Sequence, residues 1–273
     1  MDLKEAKERI LEVHRQVAKL DDEAILHGPR ELIEPPFRAL DELASAEVDP
    51  SLVPSLREDP ELREALAGIS RLRRLYGLRL EVEAALEVLG AQRPWDVVRN
   101  FVFYENYRRL ARTEGEAAGL KEGDLVVMLG AGPLPMSLIL LAELFGVKGL
   151  GIEREGRWAA LAKGTIERLG LSGDLAVIRS DHRLLPHLRD YRLLIVAALA
   201  EPKGEIFDLL AEHLPPKALI SHRLYEKGLR AILYEATPFQ SPPALQEVAR
   251  IPPHPPVNNT VVILRRKDDK PSS

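Results

Sequence analysis

The sequence predicts an α/β fold in which a Rossmann-like sheet follows an N-terminal α-helical domain. Residues 1–115 carry apolar side chains at helical spacing, whereas residues 116–273 alternate short apolar runs with amphipathic segments. A Gly-Ala-Gly turn at residues 130–132 follows the first apolar run, where such a sheet turns from strand to helix. Alternating strand and helix patterns imply a parallel sheet, so we predict two domains, 1–115 and 116–273.

The N-terminal domain is predicted to contain several helices of different length. The first is indicated by apolar residues at helical spacing: Leu3, Ala6, Ile10, Val13, Val17 and Leu20. Prolines predict that the next helices are short: Pro29, Pro35, Pro36, Pro50, Pro54 and Pro60. A longer helix is expected over about 61–89, with Gly90 as its C-cap. One further helix is predicted from Pro94 to residue 114.

The sheet domain is predicted from apolar runs separated by helical patterns. The strand candidates are "LVVML", "VKGLGIE", "DLAVIRS", "RLLIVAAL", "ALISHR", "AILYEA" and "NNTVVILRR". Asn258 and Asn259, the first two residues of the last candidate, are interpreted as a turn that leads into the strand. Residues 252–256 are rich in proline and predict a loop, and the final "KDDKPSS" predicts a frayed tail.

Composition excludes several classes of function. The 273 residues include 38 basic and 42 acidic side chains, so the net charge of −4 gives no electrostatic case for binding nucleic acid or an anionic membrane. Without cysteine there is no disulfide, thiolate metal site or cysteine nucleophile. No apolar segment reaches ~18 residues without a charge, and the N-terminus is charged. We expect a cytoplasmic protein without a membrane span, and a homodimer is a candidate assembly.

The glycine turn is the first candidate for a ligand site. Gly130 and Gly132 permit a tight turn and a close backbone approach, and the next helix offers free amides to an anionic group. Pro133 suits the first helical turn, where a missing N–H costs nothing. The alternative is an ordinary strand-to-helix connection.

Two acidic residues follow the second and third predicted strands. Glu153 lies 21 residues beyond Gly132, the position from which a carboxylate commonly binds ribose hydroxyls. Asp181 is placed to accept from an adenine amino group. The alternatives are a solvated charge at a strand end for Glu153 and a helix N-cap for Asp181. A dinucleotide site prefers a third glycine where this chain has Pro135, so the pattern favours S-adenosylmethionine over NAD.

Several separate motifs resemble the nicotianamine synthase family, with the short archaeal, thermonicotianamine-type members most similar. They are "LRLEVEAALEVL", "PWDVVRNFVFYENY", "GAGPLPMSLILLA", "VAALAEPK", "RAILY" and "VNNTVVI", over roughly residues 60–265. The resemblance implies the class I S-adenosylmethionine-dependent methyltransferase-like fold. It also implies transfer of the 3-amino-3-carboxypropyl group of S-adenosylmethionine to an amino group, with release of 5′-methylthioadenosine. The products of the family chelate metals.

The resemblance also implies roles for particular residues. The family's catalytic glutamate corresponds to Glu81, and a tyrosine of its substrate site corresponds to Tyr107. The implied adenosine-binding positions are Gly130, Ala131, Gly132, Pro133, Leu134, Glu153, Asp181, Ala197 and Ala198. The segment "HRLYEKGLR" is one residue longer than its counterpart in the family. The family implies no metal requirement, and the seven histidines show no metal-ligand spacing.

Read from the residues alone, each of these side chains has a structural alternative. Glu81 lies on an otherwise apolar stripe of its helix, where it is either a base or the partner of a nearby arginine. Tyr107 belongs to an aromatic cluster that is either core or substrate site. Arg223 and Arg230 could bind substrate carboxylates or form surface ion pairs. We expect Glu81 to meet the cofactor half over the sulfonium.

Three functions compete. The first is an aminocarboxypropyl transferase with glutamate as the expected acceptor and histidine as the second choice. The second is an ordinary S-adenosylmethionine-dependent methyltransferase. The third is a non-enzymatic sensor of an adenosine ligand. The coproduct of turnover, methylthioadenosine or S-adenosylhomocysteine, separates the first two.

Overall fold

The computed structural model describes residues 1–234 and 240–267, which form two compact units. The first comprises Met1–Leu80 and, among the described residues, 225–234. The second comprises Glu81–Leu224 and, among the described residues, 240–267. The boundary predicted at residue 115 differs from this division, which places residues 81–115 with the sheet.

The first unit is helical, as predicted. Its elements are α1 (Leu3–Val17), α2 (Asp22–His27), α3 (Arg30–Ser45), α4 (Leu52–Glu58), a 3-10 turn (Pro60–Leu62), the first part of α5 (Arg63–Gly90) and a short helix, Arg230–Leu233, numbered α11 in chain order. Aspartate caps fix the starts of the first two helices, because Asp2 accepts from Glu5 N and Asp21 accepts from Ala24 N. The buried residues of α1 follow the predicted apolar stripe: Ala6, Ile10, Val13 and Val17.

Two local predictions for this unit are wrong. Pro35 and Pro36 were expected to interrupt the chain, yet both lie inside the 16-residue helix α3. Pro35 is exposed, whereas Pro36 lies on the buried face of the helix, so packing of Ile33, Phe37 and Leu40 on that face outweighs the lost hydrogen bonds. The candidate strand "AILYEA" also differs, because its first part forms α11. Its remaining residues, Glu235 and Ala236, lie outside the described range.

The second unit is organised around a seven-stranded sheet, which confirms the predicted fold class. The strands are β1 (Leu125–Leu129), β2 (Lys148–Glu153), β3 (Leu175–Arg179), β4 (Leu193–Val196), β5 (Leu219–Leu224), β6 (Leu245–Ile251) and β7 (Thr260–Arg266). Their order is β3-β2-β1-β4-β5-β7-β6, and β1 to β5 pair in parallel. The last two strands pair antiparallel, so the expectation of a wholly parallel sheet is wrong at this edge.

Six helices or helix segments and one 3-10 turn accompany the sheet in the described part of the second unit. They are the last part of α5, α6 (Pro94–Asn100), α7 (Tyr104–Ala118), α8 (Met136–Phe145), α9 (Gly156–Arg168) and α10 (Lys203–His213), with a 3-10 turn at His182–His187. The single helix predicted from Pro94 is two helices, because Phe101 leaves helical geometry at ψ 132° and its ring is buried. Pro135 is the N-cap of α8, so Pro133 precedes the helix instead of lying in its first turn.

The core of the second unit lies along the central strands. Fully buried Val127, Ile152, Leu194 and Ile220 pack with Phe207 of α10. The carboxyl ends of β1 to β5 meet at one edge, where α/β sheets bind ligands. Among the described residues, no helix combines the length and apolarity that crossing a bilayer requires.

Candidate active site

The glycine turn after β1 has the geometry that only glycine adopts without strain. Gly130 and Gly132 have φ of 83° and 67°. A β-carbon on Gly130 would lie 3.1 Å from the β-carbon of Ala197, and one on Gly132 would lie 3.0 Å from Glu81 Oε2. Gly130 N and Ala131 N both donate to Ile152 O of the neighbouring strand, at 2.9 and 3.2 Å. The turn is therefore held closely against the end of β2.

Glu153, at the end of β2, fastens this turn through its carboxylate. Oε2 accepts from Gly132 N at 2.9 Å, and Oε1 accepts from Glu155 N at 2.9 Å. The side chain is buried, whereas Glu155 is exposed, so Glu153 is not a solvated charge at a strand end. Each carboxylate oxygen keeps a second lone pair that can accept from a ligand hydroxyl.

Glu81 and Tyr107 meet in front of the glycine turn. The Tyr107 hydroxyl donates to Glu81 Oε1 at 3.0 Å, while Glu81 Oε2 lies toward Gly132. The Tyr107 ring stacks on Phe101 with a centroid separation of 6.5 Å, which holds its orientation. Glu81, Tyr107 and Gly132 all belong to the second unit. The expected meeting of two domains is replaced by contacts within one unit.

Asp181 follows β3 and is already engaged. Its carboxylate accepts from Arg183 N at 2.9 Å and forms a bidentate pair with the Arg183 guanidinium. These hydrogen bonds from Arg183 lower the pKa of Asp181 to about 2, so the carboxylate stays ionised near neutral pH. The side chain is 29% exposed. It caps the 3-10 turn, as the alternative interpretation expected, and its role toward adenine stays a prediction.

The matching family model is that of the nicotianamine synthase protein, and it covers residues 3–271. The chain belongs to the nicotianamine synthase family. The resemblance found in the sequence is thus confirmed over nearly the whole chain. Among curated relatives from Hordeum vulgare, probable nicotianamine synthase 2 is 26% identical and covers 96% of this chain and 80% of that protein. Nicotianamine synthase 9 is 27% identical, covering 82% and 70%.

Solved structures of a nicotianamine synthase, MtNAS, agree with this assignment. The E81Q mutant of MtNAS in complex with S-adenosylmethionine is 28% identical, with a TM-score of 0.85 and coverage of 95% of this chain and 97% of that one. MtNAS in complex with MTA and tNA is also 28% identical, with a TM-score of 0.79 and coverage of 97% and 96%. These matches extend over both units.

Two arginines predicted as ligands of a substrate lie in different environments in this nicotianamine synthase family member. Arg223 was expected at a substrate or in a surface ion pair, and the surface alternative is wrong. Its side chain is 5% exposed and pairs with Glu114, which is fully buried. Arg230 lies in the first unit, where its Nη2 donates to Ser45 Oγ at 2.8 Å and its Nε is buried without a partner among the described residues. Substrate binding by either arginine stays a prediction.

The remaining predicted adenosine contacts surround the glycine turn. Pro133 and Leu134, which follow Gly132 in the chain, are both buried. Ala197 N donates to Leu129 O at 3.1 Å, so the chain after β4 runs beside the turn, and Ala198 is half-buried there.

Sequence reasoning missed some residues that shape the site. A β-carbon on Gly151 of β2 would lie 2.9 Å from the β-carbon of Ala131. The absence of a side chain at Gly151 therefore allows the glycine turn to pack closely against β2. Glycine within a strand signals such a close approach. Asn259, interpreted only as a turn, is 6% exposed. Within residues 1–234 and 240–267, no three His, Asp or Glu side chains are grouped as metal ligands would be.

Proposed function

We propose that this protein is an aminocarboxypropyl transferase. It moves the 3-amino-3-carboxypropyl group of S-adenosylmethionine to the amino group of an amino acid, releases 5′-methylthioadenosine, and makes a nicotianamine-like metal chelator. One observation carries the proposal: the Glu81 carboxylate, held by the Tyr107 hydroxyl, lies toward the glycine turn that Glu153 fastens. Membership of the family and the ligands of the solved MtNAS structures support it.

S-adenosylmethionine is expected to lie along the carboxyl edge of the sheet. Glu153 supports the ribose hydroxyls with its free lone pairs, and Asp181 faces the adenine amino group. The positive φ of Gly130 and Gly132 brings backbone, without side chains, under the ligand. The sulfonium and its carbon arm then come beside the turn, toward Glu81.

The reaction needs a base close to the attacking nitrogen. An amino acid carries its amine as an ammonium near neutral pH, so it must lose a proton before nitrogen can form a bond to the arm. Glu81 takes that proton, and Tyr107 keeps the carboxylate in place. The nitrogen attacks the γ-carbon, the carbon–sulfur bond breaks, and its electron pair returns to sulfur to give neutral methylthioadenosine. In-line placement of the γ-carbon, not of the methyl, selects this bond.

Glutamate is the proposed acceptor, and more than one arm can be added. The support is the resemblance of this sequence to short archaeal family members, whose motifs it carries. Histidine is the second choice. The proposal for the acceptor is separate from that for the reaction, so one can fail without the other.

Incubation of the enzyme with S-adenosylmethionine and single amino acids tests the proposal. Mass spectrometry should detect methylthioadenosine and an adduct with one added arm per transfer, first with glutamate. S-adenosylhomocysteine as coproduct would instead make the protein a methyltransferase. No turnover with any amino acid, together with tight methylthioadenosine binding, would favour a sensor of adenosine ligands.

Calorimetric titration tests the ligand class without turnover. S-adenosylmethionine and methylthioadenosine should bind, and NADH should not, because Pro135 occupies the place of the third glycine of a dinucleotide turn. Tight binding of NADH without binding of methylthioadenosine would contradict the site described above.

A further inference from the structure

Asn259 has a buried amide whose donor is not used within the described protein. The residue is 6% exposed, and its Nδ2 is buried with no hydrogen-bond partner among the described residues. Leaving such a donor unsatisfied costs about 1–3 kcal/mol, and folded proteins rarely keep one without a reason. A ligand that supplies an acceptor oxygen would remove this cost.

The position of Asn259 is at the ligand-binding edge of the sheet. It immediately precedes β7, which runs antiparallel to β5 with Thr260 opposite Leu224, the last residue of β5. Asn259 therefore lies beyond the carboxyl end of β5. Neighbouring strands are about 4.8 Å apart. With β4 and β5 between them, β7 lies roughly 14 Å from β1 and its glycine turn.

The order of strands gives a direction to this edge. Asp181 follows β3, Glu153 ends β2 and the glycine turn follows β1, so the adenosine end of the proposed ligand lies on one side of the turn. Asn259 lies on the opposite side, past β4 and β5. A group bound there is on the side that the attacking nucleophile must occupy.

The loop that carries Asn259 is fastened to the helix that carries Tyr107. Asn258 N donates to Asn106 Oδ1 at 3.3 Å, and Arg109 Nη1 donates to Pro255 O at 2.9 Å. Asn106 and Arg109 flank Tyr107 on α7, and Val257 packs against the apolar cluster to which Leu110 of the same helix belongs. Two hydrogen bonds and shared apolar packing therefore hold the loop of Asn259 against the helix that carries Tyr107.

We propose that Asn259 Nδ2 donates to a carboxylate oxygen of the acceptor amino acid and so selects and orients it. The inference rests on the proposed function. The donor needs an acceptor atom in the ligand, which the ammonium of an amino acid cannot provide and its carboxylate can. Holding the carboxylate at Asn259 turns the amine toward Glu81, at the other end of the same loop–helix contact.

Kinetics of variants at two adjacent positions test this role. Asn259→Ala removes the donor, and Asn259→Asp keeps the shape but sets an anion against the ligand carboxylate. The KM for the acceptor should rise about tenfold in the first and more in the second, as expected for loss of one hydrogen bond to a charged group. The KM for S-adenosylmethionine should change less than twofold. Asn258→Ala and Asn258→Asp are the matched controls and should leave both values unchanged.

Stability separates this role from a structural one. Removal of a donor that has no partner should leave the melting temperature of free Asn259→Ala equal to the parent or higher, while the upward shift produced by the acceptor is lost. A lower melting temperature with an unchanged acceptor KM would overturn the inference. So would an equal rise in the KM values of both substrates.

A titration without turnover keeps this inference distinct from the reaction itself. L-glutamate and L-histidine are titrated into the enzyme loaded with methylthioadenosine, for the parent and for Asn259→Asp. Binding to the parent and its loss in the variant would support the inference even if the coproduct assay rejected the proposed reaction. Absence of amino-acid binding to the parent, or equal binding to both, would overturn it.

Discussion

Two residues on one face of helix α7 take part in carboxylate contacts, one partly accessible to solvent and the other buried. Tyr107 and Glu114 are seven residues apart, which is close to two helical turns, so their side chains project in nearly the same direction. Tyr107 contacts Glu81 at the sheet edge, where both side chains remain partly accessible. Glu114 contacts Arg223, and both are buried. Helix α7 thus contacts an accessible carboxylate, Glu81 of α5, through Tyr107 and carries a buried carboxylate, Glu114. We call the buried Glu114–Arg223 pair the sealed pair.

The buried Glu114–Arg223 pair is held by several hydrogen bonds. Glu114 Oε1 accepts from Ser221 Oγ at 2.6 Å and from Arg223 Nε at 2.8 Å, and Oε2 accepts from Arg223 Nη2 at 2.7 Å. Arg223 Nη2 also donates to Ser137 Oγ at 2.9 Å. A bidentate pair of this kind fixes α7, α8 and β5 together. Both residues are carboxylates, so charge does not distinguish them. The proposed base, Glu81, is accessible to a ligand, whereas the structural acid, Glu114, is not.

The Glu81→Gln substitution should produce the largest effect on activity. Glutamine keeps the shape and the contact with Tyr107 but cannot take a proton. Turnover should fall by ~10²–10⁴, the usual contribution of a positioned base, with the loss mainly in kcat. Melting temperature and single-turnover rate should be measured on the same sample.

A different result is expected if Glu81 has only a structural role. The variant would then lose thermal stability and keep its rate per folded molecule. A rate within about threefold of the parent would exclude Glu81 from the proton transfer, and Glu81 and Glu114 would then both be structural carboxylates.

The Glu114–Arg223 pair should show the reverse pattern. Glu114→Gln leaves the Arg223 charge buried without its counter-ion, so the free energy of unfolding should fall by about 3–5 kcal/mol. Chemical denaturation measures this loss. The double variant Glu114→Leu/Arg223→Met is the control, because replacing both charges by apolar groups should restore much of the stability.

The same variants decide the predicted role of Arg223 at the substrate. If the arginine acts only inside the protein, folded Glu114→Leu/Arg223→Met should keep the acceptor KM of the parent. A large rise in that KM in the folded double variant would show that Arg223 binds substrate, and the proposed contrast between the two sites would fail.

The sequence was informative where a single residue type can meet a local requirement. Gly130 and Gly132 were identifiable because left-handed φ favours glycine, and Glu153 because its distance from the turn matches the ends of adjacent strands. Strands β1 to β5 and β7 were likewise predictable from their apolar runs. The Glu81–Tyr107 contact, in contrast, joins two helices and required the family resemblance.

Other features depend on tertiary packing and could not be read locally. Pro35 and Pro36 remain inside α3 because the helix is held by its buried face, which includes Pro36, Phe37 and Leu40. Strand β6 was missed because Glu247 and Arg250 lie on an exposed edge strand, where apolar alternation is weak. The burial of Arg223 follows from Glu114, more than a hundred residues away in the chain. No local pattern reports a partner at that distance.

His222 is a buried titratable residue of β5, next in sequence to Ser221 and Arg223 of the sealed pair's hydrogen-bond network. Its ring packs against Phe207 with a centroid separation of 4.6 Å. Burial, reinforced by the charges of Lys203 and Arg250, lowers the pKa of His222 to about 3 from an ordinary value near 6.5. Between these values the unfolded chain binds a proton that the folded chain does not, so stability should fall as the pH falls from about 6.5 to 3.

The measurement is denaturation at several pH values in the parent and in His222→Gln. One such proton contributes a slope of at most about 1.4 kcal/mol per pH unit in this window, and the variant should lose that part of the slope. Exposed His254→Gln is the control and should keep it. Equal slopes in the parent and His222→Gln would show that His222 titrates normally in the folded protein.

Asp181→Ala should give the smallest effect, because this carboxylate belongs to the accessible side and already has a partner. Adenine must share Asp181 with Arg183, and the side chain is partly solvated, so methylthioadenosine binding should weaken by about 1 kcal/mol, near the lower end expected for one polar contact. The low pKa predicts that this contribution does not titrate between pH 5 and 8, and that it disappears only as the pH falls from about 4 toward 2.

Arg183→Ala is the informative partner variant. If the arginine only competes for the carboxylate, its removal should leave methylthioadenosine affinity equal or higher, while Asp181→Ala lowers it. If calorimetry instead finds the parent affinity in Asp181→Ala, Asp181 serves only as the cap of its 3-10 turn, and the adenosine end of the site rests on Glu153 and the glycine turn.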